Sequence, residues 1–412
     1  MRILILTGSL PYPLASGGAI RSFGIIHGLH AAGHEVSLLS FNDAERGIAA
    51  QSTPLAELCA RIETAPLPRR TPRQRLRDLV LSGQPDIAKR LESDEFRHKL
   101  QTLLEETPFD LVQFDGLETA GYLPFVRQWL TRHNQTHTKL CYDSFNAEYV
   151  LQRLISQIDR KEFRRLPAAA YSFVQSNRIA YFERMICRVS DFVIAVSEED
   201  ADALRPFRAD RCVHVVPNGI FAADYADPRE HLDLRGSAIV FTGKMDYRPN
   251  VDAMLWFTDA VLPLVTEQVP DARLYIVGQK PHPRLEGLRV KDNVEVTGWV
   301  AEVQPFLQAA EVYVAPLRMG SGTRLKILEA MASGCAVIAT STAASGLLSE
   351  ARRAMSIADD ADSMAQAIVA LLQDPSQRQT LGDSARSAVR KYYDWSVLIP
   401  KLLKVYKEVG LG

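Results

Sequence analysis

The stretch LRMGSGTRLKILEAMASGCAVIAT, residues 317–340, has a pattern typical of one class of fold. One apolar run ends at Leu317 and another begins at Ala336, and apolar residues recur at helical spacing between Thr323 and Gly334. Gly334 can take the left-handed conformation that ends a helix. The stretch therefore predicts a strand, a glycine-containing loop, a helix and a second strand, which is the repeating unit of a parallel α/β sheet.

Apolar runs of the same kind recur along the chain and alternate with stretches of helical periodicity. In the first half they are RILILTG, HEVSLLSF, DLVQFDG, KLCYDSF, DFVIAVSE and VHVVPNG. In the second half they are AIVFTG, RLYIVGQ, VEVTGW, VYVAPL, AVIATS and AMSIAD. Because 412 residues exceed one ordinary core, the pattern predicts two doubly wound, Rossmann-like α/β domains.

Proline and glycine mark the expected boundary between these domains. The segment VVPNGIFAADYADP contains Pro-Asn-Gly at 217–219, a combination typical of turns and linkers. We expect an N-terminal domain over residues 1–216 and a C-terminal domain over residues 217–390. The remaining residues, 391–412, have helical periodicity that we expect Pro400 to interrupt.

Composition narrows the class of protein. The chain is 47% hydrophobic and 24% charged, with a formal net charge of -1, so no overall positive field favours nucleic acid. The five cysteines are scattered without C-x-x-C spacing, which argues against a zinc site or a disulfide framework. The N-terminal MRILILTGSLPYP lacks the apolar core of a signal peptide, and no window is long enough to span a bilayer. We therefore expect a cytoplasmic protein.

The loop before the predicted helix of the opening stretch has the composition of an anion site. Gly320 and Gly322 allow phosphates to approach the backbone, and the amides and dipole of the helix N-terminus favour negative charge. Arg324 and Lys326 add cations, and Glu329 can accept hydrogen bonds from the vicinal hydroxyls of a ribose. These residues predict a nucleotide site. The alternative is that the glycines only turn the chain and the charges are solvated.

The same stretch resembles the donor-binding segment of GT-B glycosyltransferases of the retaining family 4. In that family an acid, seven further residues and a Glu precede AMA-x-G-x-P-V-I, and here Glu329 precedes AMASGCAVIAT. The resemblance implies that Glu329 binds the ribose of the donor. Ser321 occupies the position of the first acid, which typically contacts the donor sugar. We expect backbone amides of the loop, which also includes Gly320, Gly322 and Thr323, to supply part of that contact.

The resemblance covers nearly the whole chain. LTGSLPYPLASGGAIRS is similar to the N-terminal glycine loop of the family, which implies that Gly17 and Gly18 lie at the interdomain cleft opposite the donor phosphates. VTGWV at 296–300 is similar to a segment that contacts the base through its backbone. The closing helices, 391–412, resemble a tail that crosses back to the N-terminal domain.

A second cationic loop also resembles the family pattern. In FTGKMDYRPN, Lys244 follows Gly243 at the position of the first of two expected cations. Pro249 occupies the second position, and Arg248 is the adjacent cation. The resemblance implies that Gly243, Lys244 and Arg248 belong to the donor site.

The resemblance implies an α/β protein of the GT-B fold, with two Rossmann-like domains facing across a cleft. It implies retaining transfer of a hexose-type unit from a UDP- or GDP-sugar to an acceptor hydroxyl, in bacterial polysaccharide or glycolipid assembly. The nucleotide sugar is a co-substrate, and no cofactor or metal is expected. Lys244, Arg324 and Lys326, with the loop amides, would stabilise the negative charge that develops on the leaving diphosphate.

Acidic residues at the ends of two strands of the N-terminal domain are candidates for the acceptor site. Asp115 and Glu118 follow one strand, and YDSFNAEY at 142–149 provides Asn146 and Glu148 after the next. Doubly wound domains place functional loops at these strand ends. We expect Asp115 to act in catalysis and the other three to bind the acceptor. The alternative is that these side chains only cap the sheet edge.

Other enzyme classes lack their motifs. The first strand is not followed by G-x-G-x-x-G, and neither a P-loop nor a G-x-S-x-G nucleophile elbow is present. No H-E-x-x-H occurs, and the D-A-D within DDAD at 359–362 is more consistent with a solvated helix start than with a metal site. Two functions other than transfer stay open, namely a nucleotide-sugar epimerase of the same architecture and a nucleotide-sugar-binding protein without activity.

An arginine-rich segment, 66–99, lies between the second and third predicted strands. Its cations at Arg69, Arg70, Arg73, Arg75 and Arg77 are explained most simply as a solvated helix face. They could instead hold the domain against anionic lipid headgroups, each contributing about 1 kcal/mol, where a lipid-linked acceptor is located. This second hypothesis predicts a peripheral contact with the inner face of the cell membrane.

Overall fold

The computed structural model describes residues 1–14, 16–43, 47–159, 166–225, 232–319 and 324–411. The chain forms two compact units. The first unit consists of Met1–Gly219 together with Leu398–Gly412, and the second consists of Ile220–Val397. The chain therefore leaves the first unit after Gly219 and returns to it after Val397.

The first unit is built on a parallel sheet. Its strands are β1 (Arg2–Thr7), β2 (Glu35–Asn42), β3 (Arg61–Pro66), β4 (Leu111–Asp115), β5 (Lys139–Ser144), β6 (Phe192–Ala195) and β7 (His214–Val215). The strand order is β3-β2-β1-β4-β5-β6-β7, and β1 lies beside β4 with Ile3 paired to Leu111. The order reverses between β1 and β4. Doubly wound sheets bind ligands at the carboxyl ends of the strands at such a reversal.

The sheet of the second unit repeats this order. Its strands are β8 (Ser237–Thr242), β9 (Ala272–Val277), β10 (Val294–Gly298), β11 (Val312–Ala315), β12 (Ala336–Ala339) and β13 (Ser356–Ile357). They are arranged as β10-β9-β8-β11-β12-β13, again all parallel, with the reversal between β8 and β11. Each unit is therefore a doubly wound α/β domain, as the alternating pattern predicts.

Helices connect the strands in both units. Those of the first unit are Gly17–Ala31, Leu55–Leu58, Pro72–Leu81, Asp86–Arg90, Asp94–Glu106, Gly116–Thr119, Leu123–Arg132, Glu148–Asp159, Leu166–Val189 and Glu198–Leu204. Those of the second unit are Arg248–Trp256, Leu262–Gln268, Gln304–Ala309, Leu325–Ala332, Ser341–Ala344, Ser349–Arg352, Ala361–Gln373 and Pro375–Tyr392, with a π-helical turn at Phe257–Val261. The helix Trp395–Glu408 begins in the second unit and continues in the first.

The central strands are buried on both faces, which explains their continuous apolar sequences. Ile3 through Leu6 in β1 have no exposed surface, and the same is true of Val337 to Ala339 in β12. Aromatic side chains fill the space between sheet and helices, as where the Phe41 and Phe96 rings stack with centroids 4.2 Å apart. The strand ends at the reversal points are consequently held by rigid cores.

β3 has no counterpart among the predicted strands. Its residues RIETAP carry charged side chains, only Ala65 is buried, and the strand lies at the edge of the sheet. Its sequence therefore lacks the apolar run that indicates a buried strand. The arginine-rich segment follows β3 and precedes β4, which corrects the expectation that it lies between the second and third strands.

The expected interruption at Pro400 is wrong. The helix Trp395–Glu408 contains this proline, and the break lies earlier, between Tyr392 and Trp395. Asp394 Oδ1 accepts a hydrogen bond from the backbone N–H of Ser396 at 2.8 Å, as a helix-capping side chain does. Pro400 lies inside the helix, where a proline removes one backbone hydrogen bond. The apolar residues around it, including Leu398, Ile399 and Leu402, are buried and stabilise the helix by packing.

Among the helices of the described ranges, none combines the length and apolar content that crossing a bilayer requires. The five cysteines are free thiols. Four of them are buried as expected of core residues, whereas Cys212 is exposed.

Candidate functional site

Two glycines shape the strand ends at the reversal point of the second unit. Gly243 follows β8 with φ +154°, and Gly278 follows β9 with φ +151°. A methyl group added at Gly278 would lie 1.7 Å from the carbonyl oxygen of Gly243. Only glycine therefore allows the two backbones to approach this closely.

Lys326 lies beside this glycine. It is the second residue of the helix Leu325–Ala332, and its Nζ donates a hydrogen bond to Asn250 Oδ1 at 2.7 Å. The same amine lies 4.5 Å from the centroid of the Phe241 ring, an attractive cation–π distance. A methyl group at Gly243 would lie only 2.6 Å from Nζ. The amine is thus fixed at the carboxyl end of β8.

Asn250 connects both cationic loops and was not indicated by the sequence. Its side chain is buried, and its Nδ2 donates to the backbone carbonyl of Lys244 at 2.9 Å while Oδ1 accepts from Lys326. The Lys244 side chain is exposed, with Nζ 3.7 Å from Asp246. Arg248 begins the helix that carries Asn250. The structure therefore brings Gly243, Lys244 and Lys326 together around one amide.

The surroundings of Lys326 favour its neutral form. Burial, and then the nearby Arg324 guanidinium, lower the pKa of Lys326 to about 7, although Glu329 acts in the opposite direction. An anion bound at the amine would favour the charged form. Binding of an anion and protonation of Lys326 would therefore favour each other.

Glu329 lies on the same helix, three residues after Lys326. Its Oε1 accepts a hydrogen bond from the Tyr225 hydroxyl at 3.0 Å, and burial raises the pKa of its carboxyl group. Tyr225 belongs to a short 3-10 helix, Ala222–Tyr225, and was not among the predicted site residues. Because residues three apart share a helix face, Lys326 and Glu329 can contact the same ligand.

Only part of the predicted donor loop lies within the residues that the structure describes. Gly320, Ser321, Gly322 and Thr323 lie outside the described residues, so their expected contacts stay a prediction. Arg324 immediately precedes the helix Leu325–Ala332 with a non-helical backbone, φ -83° and ψ 82°.

After the helix, Gly334 has φ +80°, which confirms the predicted left-handed end. A methyl group there would lie 2.2 Å from Arg386 Nη2, whose guanidinium donates to the carbonyl of Ser333.

The first unit has a cavity of about 620 Å³ at the carboxyl ends of β1 and β4. Asp115, Glu118 and Glu148 all line it, together with Gly18. Asn146 lies next to Glu148, and its Nδ2 donates to Glu148 Oε1 at 3.4 Å. The structure therefore brings the four acceptor-site candidates together within one unit.

Asp115 is the most buried acid of this cavity wall. Its carboxylate accepts hydrogen bonds from Ser22 Oγ and from Gln113 Nε2, the latter at 2.9 Å. The Tyr406 hydroxyl donates to Gln113 Oε1 at 2.7 Å. Burial, and then the negative charge of Asp143, raise the pKa of Asp115 to about 7. A carboxyl group with this pKa can accept or release a proton near neutral pH.

Two buried acids fix the loop that carries Glu148. Asp200 Oδ1 accepts from the backbone N–H of Ala147 at 2.9 Å, and the Glu183 carboxylate accepts from those of Glu148 and Tyr149, each at 3.3 Å. These bonds satisfy amides at the start of the helix Glu148–Asp159. Burial raises the pKa of Glu148 to about 7, although the charge of Arg90 acts in the opposite direction.

Arg21 anchors the end of the first unit. Its side chain is 1% exposed and makes two hydrogen bonds to the fully buried Asp143, at 2.8 and 2.6 Å. Its Nη1 also donates to the carbonyl oxygens of Val216 and Pro217 and to Asn218 Oδ1. One guanidinium therefore ties β5 to the segment that precedes the boundary at Gly219.

The family follows from comparison with known proteins. The family described as Glycosyltransferase Family 4 matches residues 15–223, half of the chain, and the family Glycosyl transferases group 1 matches residues 236–374. The chain belongs to glycosyltransferase family 4. The first match covers the acceptor-site candidates and the second covers the Gly243, Lys326 and Glu329 cluster.

Curated relatives of this family 4 chain include the phosphatidyl-myo-inositol mannosyltransferase of Mycolicibacterium smegmatis. The two are 32% identical over 210 residues, which are 47% of this chain and 52% of the relative. The chain spans about half the length of the curated relative it matches.

Solved structures with the same fold cover the whole chain. Sucrose-phosphate synthase from Thermosynechococcus elongatus has a TM-score of 0.70 at 18% identity, covering 99% of both chains. Anabaena HepE, in complex with UDP, has a TM-score of 0.65 at 14% identity, covering 99% of this chain and 100% of its own. With the two doubly wound sheets, these similarities confirm the predicted GT-B fold.

The glycine loop expected in this family is different in detail here. Gly17 and Gly18 do not form a loop but are the first two residues of the helix Gly17–Ala31, which Ser16 caps by accepting from the N–H of Ala19. A methyl group at Gly18 would lie 3.1 Å from the Phe145 ring. The backbone amides at this position therefore belong to the first turn of a helix and not to a loop.

The arginine-rich segment of the family 4 chain is mostly internally paired. Arg70 lies 2.9 Å from both Asp78 and Asp86, and Arg75 and Arg77 lie within 3.6 Å of the same two acids. Arg75 and Arg77 are also exposed, as the simpler of the two hypotheses, a solvated helix face, predicts. Within the described parts of the chain, no three His, Cys, Asp or Glu side chains are grouped as metal ligands.

Proposed function

We propose that this family 4 protein transfers a sugar from a UDP- or GDP-linked nucleotide sugar to an acceptor hydroxyl. The single observation that carries the proposal is the arrangement of Lys326 and Glu329 on one face of the helix that starts at the reversal point of the second sheet. An amine at the carboxyl end of β8 fits a diphosphate, and a carboxylate one turn along the helix fits the two hydroxyls of a ribose.

The proposed chemistry is electrostatic. The acceptor oxygen forms a bond to the anomeric carbon while the bond from that carbon to the diphosphate oxygen breaks, and negative charge grows on the diphosphate. Lys326, Arg324 and Lys244, with the amides of 320–323, are the groups proposed to stabilise this charge. We propose that they suffice without a metal and that the anomeric configuration is retained.

The acceptor side of the proposal is the cavity of the first unit. Asp115 is proposed to receive the proton of the acceptor hydroxyl, either directly or after it has passed to the departing phosphate oxygen. Its raised pKa suits this task, because the group then holds a proton more readily than an exposed aspartate. Glu118, Asn146 and Glu148 are proposed to orient the acceptor.

Relatives support a glycan or lipid-linked acceptor. The curated relatives are named for mannosyl transfer to phosphatidyl-myo-inositol, and HepE is described in complex with UDP. We therefore place this chain in polysaccharide or glycolipid assembly at the cytoplasmic face of the membrane. Contact of Arg69–Arg77 with anionic lipid is part of this proposal. Four arginines of this range are exposed, namely Arg69, Arg73, Arg75 and Arg77.

Radiolabelled UDP- and GDP-sugars, incubated with the protein and a membrane lipid extract, test the proposal. Label that moves into lipid or glycan supports a transferase. A changed free sugar nucleotide would instead indicate an epimerase, and saturable binding without any product would indicate a binding protein. Mass spectrometry of the recovered nucleotide distinguishes these results.

Replacement of Glu329 by glutamine is expected to weaken binding of UDP or GDP by about 10- to 100-fold, because a charged acceptor for ribose hydroxyls contributes about 1.5–3 kcal/mol. Isothermal titration calorimetry measures the change. Glu286→Gln, at an exposed position of the second unit, is the matched control and should bind like the wild type. Unchanged nucleotide affinity in Glu329→Gln would remove the ribose assignment.

Asn250→Ala is expected to lower kcat by about 100-fold, since small displacements of a group that acts on the reacting centre cost about that much. The change releases Lys326 Nζ and the Lys244 carbonyl from their common partner. Steady-state kinetics should show the loss mainly in kcat, and Gln268→Ala, at an exposed site, should show none. An unaffected kcat would mean that Asn250 does not position Lys326.

A further inference from the structure

The cavity of the first unit contains more acids than cations. Among the described residues, four carboxyl side chains line it, and only two guanidinium groups do. The acids are Asp86, Asp115, Glu118 and Glu148, and the cations are Arg75 and Arg90. The charges of these side chains influence which acceptors can bind in the cavity.

Both cations are already engaged with acids of the same wall. Arg90 Nη1 lies 2.6 Å from Glu118 Oε1, and its Nη2 lies 3.8 Å from Asp86 Oδ2. Arg75 Nη2 lies 3.6 Å from Asp86 Oδ2. Because each guanidinium faces a carboxylate, neither offers an uncompensated charge to an anionic ligand.

Among the described residues, no cation lies within ion-pair distance of the two remaining acids, Asp115 and Glu148. The charge of Arg90 lowers the pKa of Glu148, but its guanidinium is paired with Glu118. The Arg21 guanidinium near Asp115 makes its bidentate contact with Asp143 instead. The pKa of Asp115 and that of Glu148 are each raised to about 7, with burial as the largest cause. Above about pH 7 these two carboxyl groups lose their protons, and the part of the cavity that they form then carries negative charge that no cation pairs directly among the described residues. A second negative charge there would be repelled.

Hydroxyl groups suit the same two side chains. A carboxylate has about four acceptor positions, and Asp115 uses two of them for Ser22 and Gln113. Glu148 accepts one side-chain hydrogen bond, from Asn146. Apolar side chains, including Leu117 and Ile179, lie on the cavity wall and can cover the C–H faces of a ring.

We infer that the cavity receives the acceptor as an uncharged, polyhydroxylated ring and excludes rings that carry a phosphate or a carboxylate. This inference rests on the proposed function, since it names the acceptor class of the same site. Any phosphate of a lipid-linked acceptor must then lie outside the part of the cavity formed by Asp115 and Glu148.

Saturation-transfer NMR on the full chain, without nucleotide and at about pH 8, where both carboxyl groups are mostly charged, tests the inference. The probes are matched pairs: glucose with glucose 6-phosphate and glucuronate, mannose with mannose 6-phosphate, galactose with galacturonate, and myo-inositol with its 1-phosphate. We expect at least one neutral ring to bind at least about 10-fold more tightly than its charged counterpart, because one uncompensated like charge in a partly buried site costs that much or more.

A double variant tests whether Asp115 and Glu148 cause the discrimination between neutral and charged rings. Asp115→Asn with Glu148→Gln should weaken binding of the neutral ring and reduce the discrimination against its charged counterpart. Asp94→Asn with Glu95→Gln makes the same change in net charge at exposed positions of the first unit and should leave discrimination unchanged. Thermal unfolding confirms that both variants are folded.

Three results would overturn the inference. They are equal or tighter binding of the charged ring by the wild type, discrimination that survives the double variant, and the absence of binding by every ring. Sugar transfer to lipid or glycan alongside any of these results would leave the proposed function standing and remove only the acceptor class. Binding of neutral rings without transfer from any nucleotide sugar would remove the proposed function and the acceptor role together.

Discussion

Replacement of Lys326 by alanine is expected to lower kcat for sugar transfer by about 10²- to 10³-fold while changing nucleotide-sugar affinity by less than about 10-fold. The reason is that the negative charge the amine meets is largest when the bond to the diphosphate is broken. In the ground state, we expect the donor to keep the contacts proposed for Glu329 and the loop amides. Steady-state kinetics and calorimetry together separate the two effects.

Lys291→Ala is the matched control for Lys326, because Lys291 is a surface lysine of the same unit with Nζ 3.4 Å from Asp259. It should leave both parameters unchanged. Equal losses of kcat and of affinity in Lys326→Ala would mean that the amine only positions the donor.

The pH dependence of nucleotide binding tests whether the charge of the Lys326 amine contributes to affinity. The pKa of Lys326 is lowered to about 7, so the amine is charged below this pH and loses its proton as the pH rises through it. Affinity of the wild type for UDP or GDP should therefore decrease above about pH 7, and this decrease should be smaller in Lys326→Ala.

Replacement of Arg21 by methionine is expected to lower the free energy of unfolding by about 3–5 kcal/mol. The variant leaves the Asp143 carboxylate buried without its cation, and it removes the donor shared by the carbonyls of Val216 and Pro217. Urea unfolding followed by circular dichroism measures the loss. Because the chain has two units, the transition of the first unit must be resolved separately.

Arg77→Met provides the control for this stability prediction. Arg77 is 66% exposed and lies 3.5 Å from Asp78, so its loss should cost less than about 1 kcal/mol. Adding Asp143→Asn to Arg21→Met should recover part of the stability, because the unpaired buried charge is then removed. A loss below about 1 kcal/mol in Arg21→Met would contradict the anchoring role of this arginine.

Much of the fold is predictable from the sequence because buried parallel strands need apolar residues on both faces. Each of the predicted apolar runs contains a strand, and the runs from VYVAPL to AVIATS contain β11, the helix Leu325–Ala332 and β12 in the predicted order. β3 is not predictable in this way, because an edge strand with partly exposed side chains can carry charged residues such as Arg61 and Glu63.

The candidate sites are predictable only where a local pattern places them. Strand ends locate Gly243 and Asp115, and helix periodicity places Lys326 and Glu329 on one face. The partners of these residues depend on contacts between distant segments. Asn250 is 76 residues from Lys326, and Tyr225 is 104 residues from Glu329.

The buried hydrogen-bond network behind Asp115 is likewise not predictable from the sequence. Tyr406 reaches Gln113 across 293 residues of sequence, and Gln113 in turn donates to Asp115. No periodicity or motif in one segment can indicate such a chain of hydrogen bonds. Local chemistry therefore indicates where a site lies, whereas the fold determines how its side chains are held.

A crystal structure of the full chain with UDP or GDP would show whether the nucleotide binds at Lys326 and Glu329. The diphosphate is expected within hydrogen-bonding distance of Lys326 Nζ, at the amino end of the helix Leu325–Ala332, with the ribose hydroxyls on Glu329. A nucleotide bound elsewhere, with neither side chain in contact, would contradict the account.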